Sequence, residues 1–139
     1  MTINEIQDII IDEFAVFEEW LDKYEYLIDL GRDIALIDEA DKTDANLIDG
    51  CQSRVWLSSS RDGEGRLHFK ADSDAIITKG IISLLIRVFE GQLPQDILAA
   101  DLYFIDAIGL RENLSPTRAG GLAAMIKRIR DIAAAKEEG

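Results

Sequence analysis

One thiol, Cys51, and one imidazole, His68, are the two side chains of this 139-residue chain suited to act as a soft nucleophile and as a base near neutral pH. A single cysteine closes no intrachain disulfide and fills no cysteine-rich metal site. Sulfur chemistry here is therefore carried at one position or shared with another molecule. Cys51 follows Gly50 and precedes the polar pair Gln52-Ser53, which places the thiol on a flexible loop leading into a strand. Pattern disfavours a Cys51/His68 hydrolase: His68 alternates with Arg66 and Lys70 on a polar strand face, and no Asn or Asp is evidently placed to orient its ring. Asp49 lies close before the cysteine and Arg54 is the one cation nearby in sequence. The thiol pKa is not expected to fall strongly unless the fold brings in another positive charge. Arg118, in the first turn of the last helix and followed by Gly120 and Gly121, is the best candidate for that charge.

The charge has a location. Net charge is -12, and residues 1–50 hold 15 Asp and Glu against 3 Lys and Arg, whereas residues 51–139 hold 12 of each. Such a field repels phosphate backbones and anionic membrane surfaces, so neither nucleic acid nor membrane is an expected partner. The acidic half either maintains solubility or meets a basic partner surface. No stretch reaches the roughly 18 uninterrupted apolar residues a membrane span needs, and the first residues lack a secretory pattern. With an unpaired cysteine, a cytoplasmic location is expected.

The thiol must be positioned by an α+β framework. Ile6, Ile9, Ile10, Phe14 and Phe17 recur at helical spacing and predict an amphipathic helix over 4–19. A second helix is expected over 20–30, ended by Gly31, then an acidic connector over 32–45. Period-two alternation over 54–58 and 66–70 predicts a hairpin around the glycine-containing loop 61–65, with Val55, Leu57, Leu67 and Phe69 on one face. Leu47-Ile48 is expected to add a short third strand, because a lone two-stranded ribbon is marginal in water. Asp72-Ser73-Asp74 offers N-cap oxygens to a largely apolar helix over 75–90, stopped by Gly91. Short helices are expected over 95–100 and 102–109, and a last helix starts with Ser115 as N-cap and Pro116 at its first position. The expectation is one domain over 1–139, a small antiparallel three-stranded sheet packed against several helices.

Three runs carry a resemblance. Gly50-Cys51-Gln52-Ser53-Arg54-Val55-Trp56-Leu57, then Ala71-Asp72-Ser73-Asp74-Ala75 with Lys79-Gly80, then Leu114-Ser115-Pro116-Thr117-Arg118-Ala119-Gly120-Gly121-Leu122 follow in order. Together with Trp20, Lys23-Tyr24 and Leu30-Gly31-Arg32, they resemble the SufE family of cysteine desulfuration proteins over roughly 20–130. The resemblance implies an IscU-like fold and a sulfur acceptor, not an enzyme in its own right. It would take persulfide sulfur onto Cys51 from a SufS-like cysteine desulfurase, stimulate that enzyme, and deliver sulfur to a SufBCD-type scaffold for iron–sulfur cluster assembly. The pyridoxal phosphate would belong to the desulfurase, with no cofactor or metal resident here. Gly50, Gln52, Ser53, Arg54, Asp74 and Arg118 map onto loop-positioning or partner-docking places, and a homodimer is left open. Two positions depart from the family pattern: Gly120 stands where Asn or Gln is frequent, and Ala35 where proline is common. The alternative is an adaptor of the desulfurase in which Cys51 is incidental. A scaffold that assembles clusters itself is disfavoured, because one cysteine supplies too few ligands.

Overall fold

Thr2 opens the chain's first helix with a reciprocal cap: its hydroxyl accepts from the Glu5 N–H while the Glu5 carboxylate accepts from the Thr2 N–H, each at 3.1 Å. The computed structural model describes residues 1–138, with side chains through 135. Helix α1 (Ile3–Ala15) buries Ile3, Gln7, Ile10 and Phe14. It stops short of the expected 4–19, and the chain turns there into α2 (Trp20–Arg32). A connector with 3-10 turns at Glu39–Asp41 and Asp44–Asn46 leads past Cys51 to the hairpin β1 (Val55–Arg61) and β2 (Leu67–Ser73). Then come α3 (Ile76–Phe89), α4 (Pro94–Ala99), α5 (Phe104–Ala107), α6 (Leu110–Asn113) and the long α7 (Pro116–Glu138).

Helix α3 is apolar on nearly every side, and it is the centre of the core. The hairpin lays Val55, Leu57, Leu67, Phe69 and Ala71 on its core face, each 2% exposed or less. Register pairs Leu57 with Ala71 and Ser59 with Phe69. Leu122, Met125, Ile129 and Ala133 of α7 close the same core. Fully burying a side chain the size of Phe89 or Leu85 is worth about 2 kcal/mol, so this shared interior dominates the stability. One buried polar group and one partly exposed ion pair tie α1 to the rest of the core. Gln7 donates to the Asp101 carbonyl at 3.0 Å and accepts from the Phe104 N–H at 3.1 Å, which ties α1 to the turn before α5. Arg87 of α3 donates to Glu13 of α1 through both terminal nitrogens, and holds that carboxyl below the usual carboxylate range.

Several expectations are corrected. Among the described residues the sheet has two strands, not three. Leu47 makes a single antiparallel bridge to Trp56, and Ile48 donates to Val55 O at 2.9 Å. No ladder extends from them, because the Leu47 N–H is turned to Asp44 O and its carbonyl is taken by Arg128. The outer edge of β2 is closed without a strand: Ala35 and Ile37 of the connector bond Ala71, the Glu90 carboxylate accepts from the Phe69 N–H, and Gln92 O accepts from Leu67. Gly31 does not end α2; it lies inside the helix, buried against Gly80 of α3. Asp72 and Asp74 do not cap α3, whose N-cap is Ala75. Asp72 instead pairs with Lys42 and Lys79, and Asp74 turns to the cysteine loop. The last helix does begin as expected, with Ser115 Oγ accepting from the Arg118 N–H at 3.2 Å.

His68 is not a merely solvated strand residue. Its Nε2 lies 2.8 Å from Asp62 and its Nδ1 2.7 Å from Glu90, so two carboxylates orient the ring. These partners, Asp62 foremost, raise the imidazole pKa, and the Asp62 carboxyl falls to about 2. The sign follows. The His68 contribution to stability is complete below its unfolded pKa, roughly 6.5, and fades as pH climbs through the raised folded value. The Asp62 contribution is present above roughly pH 4 and fades as pH drops toward its folded value. Thermal melts of wild type and His68→Gln should therefore differ more at pH 6 than at pH 9. An unchanged gap, or an NMR titration placing His68 at or below 6.5, would count against this clamp.

Candidate functional site

Gly50 begins the site with a positive φ of 92°, and a Cβ there would approach the Ala124 Cβ to 3.1 Å. Conformation and space both call for glycine. The chain then turns Cys51 inward against α7, where Sγ lies 3.6 Å from the Gly121 carbonyl, a weak thiol hydrogen bond. Gly121 is buried, and a Cβ on it would meet Sγ at 3.6 Å, an ordinary van der Waals contact, so the sulfur packs directly on this position of α7. A cavity of about 100 Å3 lies beside the thiol, bounded by Thr78 and Ile81 of α3 and by Thr117, Arg118 and Met125 of α7. Gln52 and Ser53 complete its rim.

The loop is anchored at both ends and free between them. On the far side, Asp74 accepts from the Arg54 N–H at 3.0 Å, Ser73 Oγ donates to the Arg54 carbonyl at 2.8 Å, and the Asp74 N–H donates to that carbonyl at 3.2 Å. On the near side stand Ile48, bonded to β1, and the Arg128 contacts to Ala45 and Leu47. Among the described residues, the stretch 49–53 makes no other hydrogen bond to the body than that of the thiol. A segment so sparsely tied opens at low cost.

Burial pushes the thiol pKa above its ordinary value. Arg118 reaches the rim of the cavity, but its guanidinium donates to Tyr24 OH at 2.9 Å. The free protein therefore holds a neutral, half-buried sulfur with a cation parked nearby. His68 is not part of this cavity; it lines a separate groove with Ser58, Ser60 and Lys70. Gly120, unlike Gly121, has nothing within 4 Å of a built Cβ and faces open space. Sequence reasoning assigned no role to Thr78, Ile81, Met125 or Arg128, and it did not link Tyr24 to Arg118. Helical spacing marks the first three as core, and no local pattern distinguishes a core residue that also walls a cavity. Among the described residues, no group of three His, Cys, Asp or Glu could hold a metal ion, and no helix is long and apolar enough to cross a membrane.

A lone cysteine seated in a small cavity, on a loop tied down at both ends over an α+β core, makes this a single-thiol protein of the α+β class. Comparison with known proteins narrows the class. The model of the SufE family, described as an Fe–S metabolism associated domain, matches residues 8–133, and the chain belongs to that family. It is 39% identical over 130 residues to an uncharacterized SufE-like protein of Rhizobium meliloti, covering 91% of this chain and 93% of the relative. A SufE-like protein of Rhizobium etli is 38% identical, over 91% of this chain and 88% of its own length. The solution structure of a hypothetical protein from Thermus thermophilus shares the fold at a TM-score of 0.78 with 18% identity, covering 96% of this chain and 97% of the other.

Proposed function

We propose that this protein is a sulfur carrier in iron–sulfur metabolism, whose Cys51 accepts persulfide sulfur from a SufS-like, pyridoxal-phosphate-dependent cysteine desulfurase. In the exchange, the Cys51 thiolate attacks the outer sulfur of the desulfurase persulfide. A new S–S bond forms on Cys51, the old one breaks, and the desulfurase cysteine leaves as a thiolate. The electron pair moves from one sulfur to another with no external oxidant. Unloading the desulfurase cysteine in this way is how the protein would stimulate that enzyme. The loaded sulfur then passes to a SufBCD-type scaffold by the same type of exchange, in a reducing cytoplasmic compartment. Gly50, Gln52, Ser53 and Arg54 form the moving loop and its far hinge, Asp74 holds that hinge, and Arg118 stands at the cavity rim to meet a partner.

The observation that carries this reading is the thiol's seat: half-buried, neutral, and held by one weak bond in a stretch anchored only at its ends. Such a sulfur is sheltered from casual oxidation yet able to swing into a partner's site. Incubation with desulfurase and cysteine should add the mass of one sulfur atom to Cys51, removable by reductant; an unchanged mass overturns the proposal. Alkylation of Cys51 should be slow in the free protein and faster with the desulfurase added. Equal rates would defeat the idea that docking draws the thiol outward.

A further inference from the structure

Residues 45–51 run along one stripe of α7, in the opposite direction to the helix. Gly121 faces Cys51, Ala124 faces Gly50, and Arg128 faces the carbonyls of Ala45 and Leu47. Spacings of three and four put these positions on one helix face. The three contacts differ in kind. A thiol hydrogen bond of 3.6 Å and a close approach of two small residues part without obstruction. Arg128 is different: its permanently charged guanidinium forks onto two carbonyls, Nη2 to Ala45 O at 2.5 Å and Nη1 to Leu47 O at 3.1 Å. Those carbonyls lie at the end of the 3-10 turn Asp44–Asn46, where helical backbone leaves acceptors without partners.

We propose that Arg128 is a positioning residue for the acceptor thiol, fixing the near end of the short tether 49–53 so that Cys51 swings on a limited arc and returns to the same seat. The far end is already fixed at Arg54 by Ser73 and Asp74. With both ends held, a tether of this length reorients the sulfur without unravelling β1. Without Arg128 the near end would be held by the Ile48 bond to β1 alone; Ala45 and Leu47 would be released from α7 and the seat against Gly121 would loosen. The role assigned to Arg128 rests on the carrier reading for its purpose, but the tether geometry can be tested without any sulfur donor.

The test uses the full chain with Arg128→Ala, Arg128→Lys and Arg130→Ala. Arg130 is the internal control, because it also bonds a carbonyl from α7, that of Ala100 at 2.7 Å, away from the cysteine loop. Iodoacetamide alkylation of Cys51 in the free protein should accelerate about tenfold in Arg128→Ala, the factor expected from losing a charge-assisted hydrogen bond. Sulfur transfer at saturating desulfurase should fall by a comparable factor, a loss in kcat rather than KM. Arg128→Lys should recover part of both, since an ammonium serves the two carbonyls less well than a planar fork. Arg130→Ala should change neither. Wild-type alkylation in a folded Arg128→Ala overturns the proposal, and so does an equal acceleration in Arg130→Ala, which would point to general loosening of α7. Should the alanine variant fail to fold, Arg128→Met keeps the aliphatic stem and gives the same reading. If Cys51 never loads sulfur while Arg128→Ala still frees the thiol, the tether stands and the carrier reading falls.

Discussion

Cys51→Ser should leave the fold standing and reduce sulfur transfer to the rate of the desulfurase alone. The substitution is close to isosteric, and a hydroxyl can still donate to the Gly121 carbonyl that now receives the thiol at 3.6 Å. Its cost in stability should stay under about 1 kcal/mol, within the range of substitutions that open no large cavity. Its cost in chemistry is total. An alkoxide is inaccessible near neutral pH and oxygen cannot hold a transferable sulfane sulfur, so the new S–S bond has no substitute. The informative readings are desulfurase turnover and binding, measured together. Retained binding with lost stimulation and lost mass gain is the carrier's signature. Full stimulation by Cys51→Ser would instead make the cysteine incidental and the protein an adaptor.

The second large effect concerns the frame. Gly80→Ala should destabilise the protein by about 3 kcal/mol, since overpacking costs of this order arise where neighbours cannot yield. A Cβ on Gly80 would lie 2.3 Å from the Leu27 carbonyl oxygen and 2.9 Å from its carbon, and one on Gly31 would lie 2.8 Å from Gly80 N. The obstructing atoms are helix backbone, so no rotamer change relieves them. Helices α2 and α3 would have to separate, lengthening the bond from Ser83 Oγ to Leu30 O, now 3.1 Å. Alanine's better helix propensity returns only about 1 kcal/mol. Gly120→Ala is the matching comparison. Nothing lies within 4 Å of its Cβ, so the same propensity gain should appear there as stabilisation of up to about 1 kcal/mol. Denaturant midpoints for the two variants should move in opposite directions, and a wild-type midpoint for Gly80→Ala would refute the close crossing. Thr78 and Ile81 flank Gly80 and wall the thiol cavity, so separating the helices should disturb the site as well as the core.

Much of this molecule was legible before folding. Alternation placed Val55, Leu57, Leu67 and Phe69 on one face, and all four are buried. The run 75–90, apolar apart from a narrow stripe, marked the central helix that spans Ile76–Phe89. Ser115-Pro116 marked the start of α7, and Gly50-Cys51 marked a loop leading into a strand. Each of these rests on a local rule, a period, a cap or a turn, whose evidence lies within a few residues of the element it describes.

What escaped was decided between distant residues. Gly31 reads as a helix stop because glycine is permissive at helix ends, yet it serves as a bare surface for Gly80, which no window around position 31 contains. Asp74 reads as a cap for the helix that follows it, but its carboxylate is drawn to the Arg54 N–H, 20 residues away along the chain. His68 gains two oriented carboxylates, and Leu47 loses its strand to an arginine 81 residues distant. Sequence by itself determined the hairpin, the central helix, the start of α7, the lone nucleophile and the charge asymmetry, because these depend on composition and short-range geometry. The tertiary structure alone decided how the thiol is seated and which contacts anchor its loop, because a polar group takes whichever partner the packed core brings within about 3 Å, whatever their separation along the chain.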